Sequence, residues 1–331
     1  MKILITGASG FIGNSLAQKL AKKPGLEITV TGRHAAIKEK FASLPIRVIQ
    51  GDLLSLKTAE QATKDIDIVI HCAGLAGTWG KYTDYYHANV LVTENLISTA
   101  KFNKVKRFIN ISSPSMYLDF CHQLNIDEDF LPSRFSNYYA RTKYEAEQLV
   151  TRAHSSEFQT ISLRPRMVIG AGDNNLLPRL IRLQQSGLLK QVGDGKNLVD
   201  FTSIGNLLNL IESCFVAPDT AMGRAYNVSN GKPEKLWDII DKVCSLMGVT
   251  TQRQKLPYRP ILLIAKMNEK INRALKSSKE PSLLPLSVSI LANSMTLNID
   301  AAKNSLGYSP TQTTDESISE FVTWWKKTAI S

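Results

Sequence analysis

Thr6-Gly7-Ala8-Ser9-Gly10-Phe11-Ile12-Gly13 follows directly on the apolar run Ile3-Leu4-Ile5 near the start of the chain. The apolar run predicts a short buried strand, and the segment after it predicts a glycine-rich turn that leads into a helix. Gly7 and Gly10 allow a tight turn and a close approach of backbone to a pyrophosphate, and Gly13 allows the helix to pack closely on the strand. Because free N–H groups at a helix start face an anion, the arrangement favours dinucleotide binding over a purely structural turn.

The first 170 residues alternate short apolar runs with helical stretches. The predicted elements are strands near residues 2–6, 27–31, 46–49, 67–71, 106–112 and 160–164, and helices near residues 12–22, 56–63, 84–101 and 137–153. Such alternation is typical of an α/β fold with a doubly wound parallel sheet. We therefore predict a dinucleotide-binding Rossmann domain over residues 1–169. Residues 170–331 are predicted to form a smaller, mostly helical substrate-binding lobe, some segments of which return to the sheet.

The composition is that of an ordinary globular enzyme, with 331 residues, 43% of them hydrophobic, and a formal net charge of +11. The positive charge favours a phosphorylated cofactor, an acidic substrate or an anionic membrane surface. The lysines are scattered without an aromatic-interleaved basic stripe, so we expect no nucleic-acid partner. The four cysteines lie far apart, which predicts neither a metal site nor disulfides. The sequence shows no signal peptide and no membrane-spanning run, and we expect a cytoplasmic protein.

The segment Ile261-Leu262-Leu263-Ile264-Ala265-Lys266-Met267 is apolar, and Lys270, Arg273 and Lys276 follow it. The pattern fits a helix that lies on a membrane surface or covers an apolar pocket. It also fits a helix buried against its own core, which is common in soluble proteins. We expect the buried arrangement and keep peripheral membrane contact as the alternative.

Tyr139 and Lys143 lie four residues apart in a predicted helix, and therefore on one face of it. A tyrosine ordinarily has a pKa of about 10, and an adjacent ammonium group favours the phenolate and lowers that pKa. Tyr139 is therefore a candidate general acid or base. Ser112 and Ser113 end a predicted central strand at the edge of the sheet that carries the glycine turn, where a hydroxyl would hold a substrate carbonyl. A simple turn before Pro114 is the alternative for the two serines.

Together these motifs resemble the extended short-chain dehydrogenase/reductase superfamily (the NAD-dependent epimerase/dehydratase family) over essentially the whole chain. The resemblance implies that Tyr139 exchanges the substrate proton, that Lys143 holds the nicotinamide ribose and lowers the pKa of Tyr139, and that Ser113 orients the carbonyl or hydroxyl. It also implies that Asp52 contacts the adenine, although Asp52 also fits a loop cap. The cofactor contacts that it predicts are Gly7, Ser9, Gly10, Phe11, Ile12, Gly13, Arg33, Asp52, Leu53, Cys72, Ala73, Gly74, Asn89, Ile111, Ser112, Tyr139, Lys143, Pro165 and Val168.

The end of the second predicted strand bears on the choice of cofactor. An acidic residue at that position usually holds a ribose 2′-hydroxyl, whereas a 2′-phosphate calls for arginine. The strand ends in Thr31-Gly32-Arg33-His34, so a cation stands where the acid would be. We therefore predict NADP(H) as the preferred cofactor and keep NAD(H) as the alternative, in which Arg33 is a solvated loop residue.

Within the superfamily, residues 74–80 and 111–117 resemble the 3β-hydroxysteroid dehydrogenase-like branch, which includes bacterial 2-alkyl-3-oxoalkanoate reductases. The resemblance implies interconversion of a secondary alcohol and a ketone on a lipophilic small molecule. The apolar segments 260–267 and 283–291 fit a lid over such a substrate.

Two other functions remain open at this point. A nucleotide-sugar epimerase or reductase would need cations for the diphosphate, for which Arg179, Arg182 and Lys190 are candidates, although they equally fit a solvated helix face. A non-catalytic dinucleotide sensor is disfavoured because Tyr139 and Lys143 are both present. The superfamily often dimerises through its two long helices, so a homodimer is also kept open.

Overall fold

The structure, a computed structural model, describes residues 1–277 and 279–329. The strands over these residues are β1 Lys2–Thr6, β2 Glu27–Gly32, β3 Ile46–Gln50, β4 Ile68–His71, β5 Arg107–Ile111, β6 Gln123–Ile126, β7 Gln159–Pro165, β8 Val168–Ile169, β9 Gln191–Val192, β10 Leu198–Val199, β11 Thr202–Ser203, β12 Ala225–Val228, β13 Glu234–Lys235, β14 Lys255–Leu256 and β15 Met295–Leu297. The α-helices are α1 Phe11–Leu20, α2 Ala36–Lys40, α3 Leu56–Thr63, α4 Tyr82–Tyr85, α5 Val92–Phe102, α6 Tyr138–Arg152, α7 Leu176–Gln185, α8 Ile204–Ser213, α9 Leu236–Leu246, α10 Tyr258–Ala274, α11 Pro285–Ala292, α12 Asp300–Leu306 and α13 Thr314–Ala329.

The main sheet has seven parallel strands in the order β12-β7-β5-β4-β1-β2-β3. All four residues of β4 are buried, as are the last four of β1, because helices cover both faces of a parallel sheet. The predicted α/β fold with a doubly wound parallel sheet is confirmed. Each of the six strands predicted from apolar runs agrees with the structure to within one residue at either end.

Helices pack on the two faces of the sheet and form two separate cores. One core contains α1 and α8, and the other contains α3, α5 and α6. The helix predicted near residues 84–101 is interrupted: α4 and α5 are joined by a π-helical turn at Tyr86–Leu91. Such turns accommodate one extra residue in a helix and often occur at functional sites.

The second lobe is interleaved with the Rossmann layer. Beyond residue 169, α8 packs with α1 and β12 pairs with β7, while β6, which precedes residue 169, joins the lobe sheet β13-β10-β15-β6. The lobe contains α7, α9 and α13 in one core and α10 with α11 in another. In the part of the chain that the structure describes, no helix is long and apolar enough to cross a membrane.

Candidate active site

The glycine turn between β1 and α1 packs backbone against backbone. Gly7 has a φ of 66°, and a Cβ placed on it would lie 2.6 Å from the backbone nitrogen of Ala73. A Cβ on Gly13 would lie 2.5 Å from the carbonyl oxygen of Gly7. Gly10 donates its backbone N–H to that same carbonyl at 2.9 Å, and a Cβ placed on Gly10 would make a tight contact of 3.3 Å with the carbonyl oxygen. The turn is therefore a cradle that a pyrophosphate fits and a side chain would fill.

A buried hydrogen-bonded chain runs from this cradle to the long helical segment beside it. The backbone N–H of Ala73 donates to Oγ1 of Thr6 at 3.1 Å, and Oγ1 of Thr6 lies 2.8 Å from Nδ1 of His71. Nε2 of His71 lies 2.9 Å from Oγ1 of Thr93, which donates to the carbonyl of Asn89 at 2.6 Å. The hydroxyl of Thr93 has one proton, which it donates to the carbonyl of Asn89. Its oxygen must therefore accept a hydrogen bond from Nε2 of His71, so His71 carries its proton on Nε2.

His71 stays neutral in this chain. Burial, reinforced by the nearby ammonium group of Lys143, lowers the pKa of His71 to about 3. A neutral imidazole can accept at one nitrogen and donate at the other, as this chain requires. The sequence analysis did not single out His71. A histidine at the end of an apolar strand does not indicate which side chains of other segments will be hydrogen-bonded to it.

Asn89, in the π-helical turn, is hydrogen-bonded to the loop after β4 and to α6. Its Oδ1 accepts from the backbone N–H of Leu75 at 2.7 Å, and its Nδ2 donates to the carbonyl of Leu75 and to Oγ1 of Thr142. Asn89 is buried and lines neither of the two clefts of this site, unlike every other cofactor contact predicted from the sequence. Asn89 therefore positions the loop after β4 against α6, and its direct contact with a cofactor stays a prediction.

Ser113, Tyr139 and Lys143 come together where β5 and α6 meet. Asn137 caps α6 by accepting from the backbone N–H of Ala140 at 2.8 Å, which fixes the first turn that carries Tyr139. Ser113 lies close enough to Tyr139 to act on its pKa, and Oγ of Ser113 donates to Oγ of Ser115 at 3.0 Å. Lys143 is only 6% exposed and donates from Nζ to the carbonyl of Ile111 at 2.8 Å. The predicted group of three therefore lines one cleft.

The pKa shifts in this group differ in part from the sequence-based expectation. Burial raises the pKa of Tyr139, and Ser113 acts in the opposite direction. Lys143 is not among the groups that shift the pKa of Tyr139 in this structure. Burial lowers the pKa of Lys143 to about 8, against the attraction of the Glu147 carboxylate. Lys143 is therefore still largely a cation at neutral pH.

Two clefts meet at the glycine turn and together have the elongated form that a dinucleotide requires. The first, of about 350 Å³, lies over the ends of β2 and β3, and the second, of about 720 Å³, reaches Ser113, Tyr139 and Lys143. The predicted contacts in the first cleft are Gly7, Ser9, Arg33, Asp52, Leu53, Ala73 and Gly74. Those in the second are Gly7, Gly10, Phe11, Ile12, Gly13, Cys72, Ala73, Gly74, Ile111, Ser112, Ser113, Tyr139, Lys143, Pro165 and Val168.

The first cleft is open to solvent and carries charge at its rim. Arg33 and Asp52 are both exposed, and Asp52 accepts from the backbone N–H of Leu54 at 3.0 Å, so it also caps its own loop. Lys40, which the sequence analysis did not consider, reaches the carbonyl of Ser9 in the glycine turn at 3.4 Å. Only the fold brings Lys40 there, because it lies 31 residues from Ser9 at the end of a short helix.

The cations proposed for a nucleotide-sugar diphosphate do not line either cleft. Arg179 pairs with Glu280 at 2.9 Å, Arg182 is exposed, and Lys190 is half-buried. The predicted lid is also not over the clefts. The segment 283–291 falls mostly within α11, which packs in the lobe core against Ala265 and Val192.

The residues present fit a nicotinamide dinucleotide. The cradle at Gly10 admits a phosphate, and the hydroxyl of Ser112, which lines the second cleft, is buried without a hydrogen-bond partner among the described residues. Ser113, Tyr139 and, one helical turn from the tyrosine, Lys143 line the same cleft, and a group of this composition can transfer a proton. This combination defines an oxidoreductase that works with a dinucleotide.

Comparison with known proteins gives the same class. Residues 3–229 match the family described as "NAD dependent epimerase/dehydratase family", and the chain belongs to this family. It is an NAD-dependent oxidoreductase of the short-chain dehydrogenase/reductase type.

Three proteins that are similar to this chain have different activities. A 2-alkyl-3-oxoalkanoate reductase of Stenotrophomonas maltophilia is 30% identical over 324 residues, covering 96% of this chain and 97% of that protein. The decarboxylating sterol-4-alpha-carboxylate 3-dehydrogenase of Bos taurus is 27% identical over 328 residues, covering 96% and 90%. The crystal structure of UDP-glucuronic acid 4-epimerase from Bacillus cereus in complex with NAD is 25% identical, with a TM-score of 0.76 and 99% of both chains covered.

Proposed function

We propose that the protein interconverts a secondary alcohol and a ketone on a lipophilic substrate of the 3-oxo acid or 3β-hydroxysteroid type, with NADP(H) as the preferred cofactor. The observation that carries the proposal is that Ser113, Tyr139 and Lys143 line the same cleft of about 720 Å³ as the glycine turn. The similarity to an oxoalkanoate reductase and a sterol dehydrogenase over nearly the whole chain supports this substrate class.

The steps follow from the geometry of the three side chains. When bound, the nicotinamide supplies or takes up the hydride. Ser113 donates a hydrogen bond to the substrate oxygen and so fixes it beside the hydroxyl of Tyr139. In the direction of reduction, Tyr139 gives its proton to that oxygen as the negative charge develops there.

Burial of Tyr139 keeps its hydroxyl protonated at neutral pH. Because burial raises the pKa of Tyr139, the hydroxyl is protonated when substrate arrives and is ready to act as the acid. Lys143 holds the backbone carbonyl of Ile111, which fixes its ammonium group at the cleft wall. A ribose hydroxyl placed at this wall would offer Lys143 a second acceptor.

The walls of the second cleft support a lipophilic substrate. Its lining contains few charged side chains besides Lys143 and Asp173, and Asp173 is occupied by the backbone N–H groups of Asn175, Leu176 and Leu177 at the start of α7. Apolar side chains make up much of the remainder: Phe11, Ile12, Ile111, Pro165, Met167, Val168 and Leu176. Of these, Met167 and Leu176 are not predicted to contact the cofactor, and their apolar side chains favour a lipophilic substrate.

The cofactor preference rests on the first cleft. Arg33 stands at its rim, and Lys40 reaches the glycine turn from the adjoining short helix. Two cations near the end of β2 suit a 2′-phosphate better than a 2′-hydroxyl. NAD(H) remains the cofactor named for the family as a whole.

The proposal is tested by titrating the purified protein with NADPH and NADH, and then following NADPH oxidation with a panel of 3-oxo acids, ketosteroids and nucleotide sugars. Tighter binding of NADPH and turnover of a lipophilic ketone is the expected result. Turnover of a nucleotide sugar with no net consumption of cofactor would contradict it. That outcome would favour an epimerase, the second candidate, which the likeness to the UDP-glucuronic acid 4-epimerase supports.

A further inference from the structure

The outward face of α10 is a long apolar strip in contact with solvent. Of the fifteen large hydrophobic residues that are exposed in the described chain, five lie on α10 or directly after it. They are Leu263 at 61% exposure, Ile264 at 52%, Met267 at 56%, Ile271 at 56% and Leu275 at 74%. Monomeric proteins rarely expose such clusters without a binding role.

The opposite face of α10 attaches the helix to the lobe. Ala265 is completely buried and packs with Val192, Val288 and Ala292. Leu263 and Met267 lie two residues on either side of Ala265, which on a helix of 3.6 residues per turn places them on the far side of the axis. The prediction that this segment is buried against its own core is therefore correct for one face only. The face that carries most of its bulky apolar side chains points outward.

Positive charge lies along one edge of the apolar strip. Arg259, Lys266 and Lys270 are exposed there, and none of them forms an ion pair within the described residues. The nearby carboxylates are already paired: Glu269 holds Arg273 at 2.7 Å, and Glu280 holds Arg179 at 2.9 Å. The uncompensated charge on this edge is positive, in keeping with the net charge of +11 of the chain.

The end of α10 lies beside the approach to the catalytic tyrosine. The guanidinium of Arg273 stacks on the ring of Trp79 at 4.8 Å and on the ring of Tyr138, which adjoins Tyr139, at 5.0 Å. A groove of about 540 Å³ starts at Leu263 and Met267. It shares residues 134–136 and Arg273 with a second groove of about 660 Å³ that reaches Tyr138.

We propose that α10 binds the surface of an anionic lipid bilayer, lying in the plane of the membrane with its apolar strip among the acyl chains. An apolar strip with lysine and arginine along its edge is the pattern of helices that lie in a membrane interface. Each basic residue near an anionic surface strengthens binding, and Arg259, Lys266 and Lys270 would face the lipid headgroups. In this orientation the grooves beside α10 face the hydrocarbon layer of the bilayer. A lipophilic molecule could then pass from the bilayer into the grooves.

The experiment is co-flotation of the whole protein with unilamellar vesicles, made either of phosphatidylglycerol and phosphatidylcholine in equal parts or of phosphatidylcholine alone. We expect the wild type to float with the anionic vesicles. A Leu263→Gln/Met267→Gln/Ile271→Gln variant should bind them at least about 100-fold more weakly, because the apolar contribution is lost. A Lys266→Gln/Lys270→Gln variant should bind them about 30-fold more weakly.

Matched control variants test whether the loss of vesicle binding is specific to the outward face of α10. Leu56→Gln/Phe102→Gln/Leu131→Gln removes three exposed apolar side chains elsewhere, and Lys57→Gln/Lys64→Gln removes two exposed lysines. Both controls should float like the wild type. Circular dichroism and NADPH affinity, which do not require a membrane, establish that each variant is folded.

Two outcomes would overturn the proposal. Wild-type protein that stays with the soluble fraction for both kinds of vesicle would do so. So would an α10 face that instead joins two copies of the chain, which analytical ultracentrifugation would reveal as a dimer that the apolar variant dissociates. Neither result bears on catalysis, so the proposed reaction is tested separately by turnover in solution.

Discussion

The two ends of the cofactor cleft are built differently. At the proposed catalytic end, Lys143 is buried and donates to a backbone carbonyl, and Ser113 donates to Ser115. At the other end, Arg33 and Asp52 are exposed at the rim. The chemical step requires atoms held in advance, whereas recognition of a ribose substituent needs only charge of the right sign nearby. Substitutions should therefore have larger effects at the catalytic end than at the rim.

The largest effect is expected at the hydroxyl of Tyr139. Tyr139→Phe should lower kcat by about 1,000-fold because the proton donor is lost, while the Kd for NADPH changes little. Steady-state kinetics and fluorescence titration measure the two quantities. Tyr138→Phe is the matched control, since it removes a hydroxyl from the adjacent residue of the same helix and should leave kcat close to wild type. Equal loss of turnover and cofactor binding in Tyr139→Phe would contradict the assigned role.

The glycine turn between the two ends should tolerate no side chain at Gly7. Gly7→Ala is expected to destabilise the fold by about 3 kcal/mol, because its Cβ would lie against the backbone at Ala73. Gly25→Ala has the same left-handed backbone conformation but open space around it, and should cost about 1 kcal/mol. Urea denaturation of the two variants compares them. Similar losses of stability would show that the conformation of Gly7, and not its packing, is what requires glycine.

Burial of Lys143 should appear in the dependence of stability on pH. Its pKa is about 8 in the folded protein and about 10.4 in an unfolded chain, so between these values the unfolded chain retains a proton that the folded protein has released. Stability due to this group therefore rises as pH increases through that window. Relative to Lys143→Met, the wild type should gain on the order of 2 kcal/mol from pH 8 to pH 10.5.

Urea titrations of both proteins at several pH values measure this gain. Lys57→Met, at an exposed site, controls for the loss of a surface charge. A stability difference between wild type and Lys143→Met that does not change with pH would mean that the Lys143 ammonium is not desolvated in the fold.

At the rim, a smaller effect is expected. Arg33→Gln should reduce the preference for NADPH over NADH by about tenfold, through loss of one cation near the 2′-phosphate, and should leave kcat close to wild type. Arg47→Gln, an exposed arginine on the neighbouring strand β3, is the matched control. Kd values for both cofactors give the result directly. An unchanged preference in Arg33→Gln would leave Lys40 as the side chain to test next.

Features that depend on local sequence were predictable. The glycine spacing identified the cradle, the apolar runs marked the strands, and the four-residue spacing brought Tyr139 and Lys143 to one face of α6. Those features depend on backbone geometry and helical periodicity, which the sequence displays directly.

Features that depend on which segments of the chain pack against one another were not predictable from the sequence. Residue spacing gave no sign that Lys143 would be bonded to the carbonyl of Ile111, or that Asn89 would be bonded to Leu75. The outward orientation of α10 was also missed, because an apolar helix packs on whichever face its neighbours cover. Periodicity shows that a helix has an apolar face and does not show whether another element lies against it.

The position of β12 at the edge of the main sheet has a consequence for synthesis on the ribosome. Six strands of the sheet are complete by Pro165, but the seventh, Ala225–Val228, follows only after much of the second lobe has emerged. During that interval β7, a strand buried over nearly its whole length in the finished protein, has an unpaired edge. Until residue 228 has left the exit tunnel, β7 therefore presents an edge that could pair with a strand of another chain.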